Sequence, residues 1–133
     1  MRRALPLALL PLLAGCALFS PGGSSDEPRA CTAMYAYVTV RVVDEAGRPL
    51  DGLTATSTNK RTGEVLRRED ASPFGEGVYA VATDGHLHRL DEDGDPFHFR
   101  AEGGGRVAEA DFVIGSDGCH VVRREGPETV TAR

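Results

Sequence analysis

The chain has 133 residues, enough for one domain, and its 15 basic and 20 acidic residues give a formal net charge of −5. Such an acidic surface repels phosphate groups, which argues against nucleic-acid binding and leaves no polybasic patch for anionic lipids. Sixteen glycines, eight prolines and no tryptophan favour short strands joined by many turns.

Residues 1–15 have the pattern of a secretory signal peptide. Arg2 and Arg3 open the segment, and an apolar run from Ala4 to Ala14 follows. The run is shorter than the ~20 apolar residues of a membrane-spanning helix. A charged start, a short apolar centre and a small-residue end predict a leader that is removed on export. Without the leader, 13 basic residues face 20 acidic ones, a formal charge of −7.

The motif "LAGC", residues 13–16, ends this segment and resembles the lipobox of bacterial lipoproteins. The resemblance implies cleavage before Cys16, a lipid on its thiol and acylation of the new amino terminus. Two or three acyl chains anchor a protein stably to a membrane. Ala17 follows, rather than aspartate, which implies sorting to the outer membrane where the cell has two. The expected location is therefore the bacterial cell envelope, with the membrane as partner through the lipid.

Residues 16–30 are predicted to form a flexible linker after the lipidated cysteine. Proline, glycine and serine dominate this stretch, and no apolar period appears in it. The folded domain is expected at residues 31–133.

The folded part has a period of two, which indicates strands. Phe97, Phe99 and Ala101 alternate with polar residues, as in a half-buried strand. No segment has a helical period of useful length. Strands are predicted at residues 34–43, 53–59, 64–69, 78–83, 97–102, 107–114, 119–124 and 128–132. We therefore predict an all-β fold, a seven- to eight-stranded antiparallel β-sandwich of transthyretin-like or immunoglobulin-like type.

Two stretches, "VTVRVVDEAGRPLDG" and "GEGVYAVAT", resemble the carboxypeptidase regulatory-like domain, a transthyretin-like (prealbumin-like) sandwich. The resemblance covers about residues 35–131. In metallocarboxypeptidases this domain is an accessory to a zinc-bearing catalytic domain, for which this chain has no room. The chain also has no His-x-x-Glu pair, so we expect neither an enzyme nor a cofactor. The matching positions are Val38, Val40, Val42, Asp44, Gly47, Pro49, Gly52, Gly77, Tyr79 and Val81.

Cys31 and Cys119 remain once Cys16 is assigned to lipid. Cysteines of an exported chain meet an oxidising space and usually pair, which predicts a Cys31–Cys119 disulfide. The alternative is a nucleophilic Cys119 with His120 as its base. Neighbouring residues of a strand point to opposite faces, which disfavours that alternative.

Metal binding is a further alternative for residues 86–98. His86 and His88 would lie on one side of an extended segment, and His98, Asp91 or Asp93 would supply a third ligand. Acidic residues in "DEDGDP", residues 91–96, also alternate as in a calcium loop, but Gly94 and Pro96 do not fit that pattern. A polar hairpin face and a solvated turn explain the same residues.

Two functions follow from these patterns. The first is a lipid-anchored, non-catalytic envelope domain that binds or scaffolds a protein or glycan partner. The second is a small metal-binding protein or metal-dependent enzyme that uses His86, His88 and nearby carboxylates. Tyr35 and Tyr37 point away from the apolar face of the first strand, where they either form a partner surface or pack against a neighbouring strand or the linker.

Overall fold

The computed structural model describes residues 30–68 and 74–133. The signal peptide, Cys16 and nearly all of the linker lie outside the described residues. Within the described residues, the domain has eight strands and one 3₁₀ helix, Asp84–Arg89. The strands are β1 Tyr37–Val43, β2 Thr54–Asn59, β3 Val65–Arg68, β4 Val78–Thr83, β5 Asp95–Gly103, β6 Arg106–Ser116, β7 Val121–Glu125 and β8 Thr129–Thr131.

Two packed sheets confirm the predicted all-β sandwich. One sheet has three strands in the order β4-β1-β8, and the other has five in the order β3-β2-β5-β6-β7. Paired strands run antiparallel except for β8, which pairs parallel with β1. Because β7 and β8 belong to different sheets, the chain crosses between the sheets at residues 126–128 and reaches β1 running in the same direction. The antiparallel prediction therefore holds for every pair but this one.

The core lies between the sheets and is formed by alternate residues of their strands. Phe97 and Phe99 of β5 are 1% and 0% exposed, as the period of two predicts. Phe99 packs edge-on against Phe112 of β6, with ring centroids 6.4 Å apart. Full burial of a side chain of this size stabilises the fold by about 1.5–3 kcal/mol. The inward face predicted for β5 is confirmed by the burial of Phe97, Phe99 and Ala101. Alternate residues of β1 and β6 are buried as well: Val38, Val40, Val42, Ala108, Phe112 and Ile114.

Tyr79 of β4 holds the loop between β1 and β2. Its ring is buried, and its hydroxyl donates to the Leu50 carbonyl at 2.7 Å and accepts from the Leu53 N–H at 3.2 Å. Gly77, just before β4, has φ +67°, and a Cβ there would lie 2.7 Å from the Val42 carbonyl oxygen. Tyr79 and Gly77, two of the positions on which the family resemblance depends, therefore fix how this loop lies on the sheet.

The segment after β4 is helical, whereas the sequence pattern indicated only strands and turns. Thr83 caps the 3₁₀ helix: its hydroxyl accepts the Gly85 N–H at 3.2 Å. The imidazole of His86 accepts the Thr83 N–H at 3.1 Å and completes a capping box. These local hydrogen bonds favour a helical turn in six residues that are too few to show a helical period.

No helix among the described residues has the length and apolar character needed to cross a membrane.

Candidate functional site

A disulfide joins the segment before β1 to the turn between β6 and β7. Cys31 and Cys119 are bridged, with their Cα atoms 5.3 Å apart, as predicted. Cys31 is exposed and Cys119 is half-buried. The bond spans 88 positions and connects the approach to the three-stranded sheet with the five-stranded sheet. Because its sulfur is in the bridge, Cys119 is not a free nucleophile for its neighbour His120.

His120 contacts two side chains from distant parts of the chain. Its Nδ1 lies 2.7 Å from Asp84 Oδ2, and its Nε2 lies 2.9 Å from Thr32 Oγ1. A carboxylate only accepts hydrogen bonds, so Nδ1 carries the proton that it donates to Asp84. In the neutral ring, Nε2 then accepts the hydroxyl proton of Thr32. His120 therefore links the segment that contains Cys31 to the 3₁₀ helix.

Asp84 is the centre of a set of contacts, here called the junction, that joins the segment before β1, the 3₁₀ helix and the start of β7. Its carboxylate accepts the Ala36 N–H at 2.8 Å and the Val121 N–H at 2.9 Å, in addition to His120. Burial raises the pKa of Asp84, but the hydrogen bonds from Ala36, Val121 and His120 outweigh it, and the pKa lies below its ordinary value of 3.8. Asp84 was not among the candidate residues predicted from the sequence. The pattern that could have indicated it is Thr-Asp-Gly, residues 83–85, which is typical of a helix start.

Three aromatic rings beside this junction form an exposed patch, here called the aromatic surface: Tyr35, Tyr37 and Phe74. Tyr35 and Tyr37 are 54% and 39% exposed, and their ring centroids lie 5.1 Å apart. The Phe74 ring lies 4.6 Å from that of Tyr37. Met34, which precedes Tyr35 in the chain, is 78% exposed. The outward direction predicted for the two tyrosines is confirmed.

Hydrogen bonds to the 3₁₀ helix fix the Tyr35 end of the aromatic surface. The Tyr35 hydroxyl accepts the Gly85 N–H at 2.7 Å and lies 3.0 Å from the Thr83 hydroxyl. Two hydrogen bonds fix the backbone of Ala36 to Asp84: the Ala36 N–H donates to the Asp84 carboxylate, and the Asp84 N–H donates to the Ala36 carbonyl. Residues 31–36 are outside β1, yet the disulfide, His120 and Asp84 hold them against the sandwich. Tyr35 is therefore held at a fixed place beside Tyr37.

The histidines proposed as metal ligands do not lie on one side of an extended segment. His86 is 5% exposed, and its ring packs edge-on against Phe97 with centroids 5.6 Å apart. His88 is exposed in the same 3₁₀ helix. Such a helix has three residues per turn, so residues two apart point in different directions. His98 lies on β5 and pairs with Asp111, 2.9 Å from Nδ1 to Oδ1.

The acidic residues of the same region have other contacts. Asp95 is fully buried and accepts hydrogen bonds from Arg61 Nη2 at 2.8 Å and from the Asn59 amide. The bond from Arg61 lowers the pKa of Asp95 against the effect of burial. Asp91 and Asp93 are exposed in the turn before β5.

No group of three or more histidine, cysteine, aspartate or glutamate side chains within residues 30–68 and 74–133 is arranged to hold a metal ion. The described residues therefore contain no assembled set of ligands that would support the metal hypothesis. Metal analysis of protein purified without chelator is its direct check.

Comparisons of the chain with protein-family models, with curated proteins and with solved structures find no match.

Proposed function

We propose that the protein is a lipid-anchored domain of the bacterial cell envelope that binds a protein partner through the aromatic surface. The observation that carries this proposal is the cluster of Tyr35, Tyr37 and Phe74, which are exposed in part and contact each other, with Tyr35 held by the Gly85 N–H. Tyrosine, phenylalanine and methionine are enriched in protein interfaces relative to other surfaces. Rings that are already fixed lose little conformational entropy on binding, which favours affinity.

The ring angles favour a protein over a glycan as partner. Tyr35 and Tyr37 meet at 62°, and Tyr37 and Phe74 at 57°, so the rings form no flat platform for stacking a sugar ring. Tilted rings suit apolar side chains, which contact both faces and edges. Such a surface acts by binding and positioning, in agreement with the resemblance to an accessory domain. We also propose that the domain belongs to the carboxypeptidase regulatory-like family, on the basis of the residues that resemble it.

The predicted anchor would keep this surface near the membrane. A flexible chain of 15 residues, the length of the linker from Cys16 to Ala30, has a root-mean-square span of roughly 20 Å. Tyr35 follows this linker by only a few residues in sequence. The proposed partner is therefore a protein that reaches the membrane surface, and tethering raises its effective concentration.

Site-specific crosslinking tests the aromatic surface directly. We expect a photoreactive phenylalanine analogue at position 37 to crosslink a protein in intact cells. The matched control places the same group at Val65, which is 55% exposed on β3. A protein adduct formed at position 37 and absent at position 65 supports the proposal. Adducts only with glycan would instead make a glycan the partner, and equal crosslinking at both positions contradicts a specific surface.

Cys16→Ser is expected to release the protein from membranes. Serine has no thiol for the lipid, and a net charge of −5 gives the chain no general attraction to anionic lipids. Fractionation of cells that express the variant measures the result, with Ser24→Ala as the control at another position of the predicted linker. If Cys16→Ser remains in the membrane fraction, the anchor prediction is wrong, whatever the outcome of the crosslinking.

A further inference from the structure

A shallow cleft on the three-stranded sheet brings two arginines together in an otherwise acidic chain. It has a volume of about 410 Å³ and is lined by Thr39, Arg41, Val78, Arg123, Glu128 and Thr129. Arg41 is the middle of a row across the sheet, because it pairs with Val78 of β4 on one side and with Thr129 of β8 on the other. Thr39 lies two residues earlier on the same face of β1. The cleft is thus built on the outer face of the sheet.

Arg123 is held at this cleft through its Nη2 atom, whereas its Nη1 atom makes no hydrogen bond to the described residues. Its Nη2 donates to the Thr39 carbonyl, and its guanidinium lies over the Phe112 ring, 5.9 Å from the centroid. Its Nε is buried without a hydrogen-bond partner. Its Nη1 lies 3.9 Å from the Glu128 carboxylate, beyond hydrogen-bond distance, and that side chain is 93% exposed.

Arg41 is the second cation of the cleft. Its side chain is exposed, and its guanidinium has no hydrogen-bond or ion-pair partner in the part of the chain that the structure describes. Some other surface arginines are paired: Arg100 contacts Glu102 and Glu109, and Arg48 contacts Asp44. An unpaired guanidinium beside a half-satisfied one leaves positive charge at this cleft.

We propose that this cleft binds an oxyanion, such as a carboxylate, phosphate or sulfate group, between Arg41 and Arg123. Guanidinium groups form forked hydrogen bonds to such oxygens, and the hydroxyls of Thr39 and Thr129 offer further donors at the rim. Glu128 occupies the edge of the cleft as a weakly held carboxylate, which an external anion displaces. The site is separate from the aromatic surface and does not depend on it.

Titration of the purified full mature chain tests the cleft. The probes are inorganic phosphate and, separately, succinate, each compared with chloride at the same ionic strength. We expect saturable binding by at least one probe, observed as shifts in the NMR signals of arginine Nε–H groups. Binding of phosphate alone assigns the site to phosphate-type groups, binding of succinate alone assigns it to carboxylates, and both support an oxyanion cleft.

Two substitutions with opposite expected effects make this test specific. Arg41→Gln should weaken binding at least tenfold, and Glu128→Gln should strengthen it several-fold because the competing carboxylate is removed. Arg106→Gln, which removes another exposed arginine, is the matched control and should change little. Arg123 is left unchanged because it also holds the edge of β1. Absence of saturable binding, or equal loss in Arg41→Gln and Arg106→Gln, would overturn the proposal.

Discussion

Replacing Cys31 and Cys119 together by serine is expected to lower the free energy of unfolding by about 4–5 kcal/mol in the chain-entropy limit. The reason is the length of chain that the bond closes, 88 positions, because an open chain of that length has far more conformations when unfolded. At about 4–8 °C per kcal/mol for a domain of this size, Tm should fall by at least 10 °C. Thermal unfolding followed by circular dichroism measures the change.

The control for this prediction is the reductant itself. Wild-type protein should lose the same stability when the disulfide is reduced, and the double variant should not respond to reductant. Hydrogen exchange gives a local readout, since loss of the bond should first speed exchange at Ala36, whose N–H donates to Asp84. A Tm that is the same for oxidised, reduced and variant protein would show that the bond does not stabilise the domain.

Asp84→Ala is expected to destabilise the domain by about 3–5 kcal/mol, because it leaves two backbone N–H groups and one imidazole without their acceptor. The donors are Ala36, just before β1, and the neighbouring residues His120 and Val121 at the start of β7, so Asp84 joins two separate segments to its own. Urea unfolding measures the loss. Asp111→Ala is a matched control that removes another aspartate–histidine contact, on the exposed face of β5 and β6. Exposed pairs contribute about 0–1 kcal/mol, so the control should change stability little.

The same residue predicts a dependence of stability on pH. The pKa of Asp84 is lower in the folded protein than its ordinary value of 3.8, so the unfolded chain takes up the proton first as the pH falls. The stabilisation by Asp84 is thus complete above pH 3.8 and is lost as the pH falls through the lowered folded pKa. Other carboxylates also have lowered pKa values, among them Asp95 and Asp111. Asp84→Asn isolates the effect of Asp84: the stability difference from wild type should shrink in acid, and a difference that is independent of pH contradicts the assignment.

Alternation in the sequence was enough to predict most of the fold. Phe97, Phe99 and Ala101 face the core because a strand buries every second side chain, and this pattern depends on local geometry alone. The disulfide was predicted from chemistry rather than geometry, since a chain that is predicted to be exported, with Cys16 assigned to lipid, has one way to pair its two other cysteines. The first prediction needs only the order of residues along one strand, and the second needs only the number of cysteines.

The candidate site depends on contacts that no local pattern contains. Asp84 is one of 20 acidic residues, and only the fold brings Ala36 and Val121 to its carboxylate. The parallel pairing of β8 with β1 depends on where the chain crosses between sheets. The cleft between Arg41 and Arg123 arises where Arg123 of β7 reaches Thr39, in the part of β1 that precedes its pairing with β8. Such features follow from long-range packing, which a period of two does not specify.

The position of the disulfide also determines how the domain responds to mechanical force. Tension on the linker, as would arise when a membrane-anchored protein is pulled by its partner, enters the described chain at residues 30 and 31. The covalent bond passes that tension directly to Cys119, in the turn before β7 of the five-stranded sheet. Without the bond, the same pull would act first on the start of β1 and peel it from β4. With it, the pull is shared between the start of β1 and the turn before β7, so it no longer acts on the pairing of β1 with β4 alone.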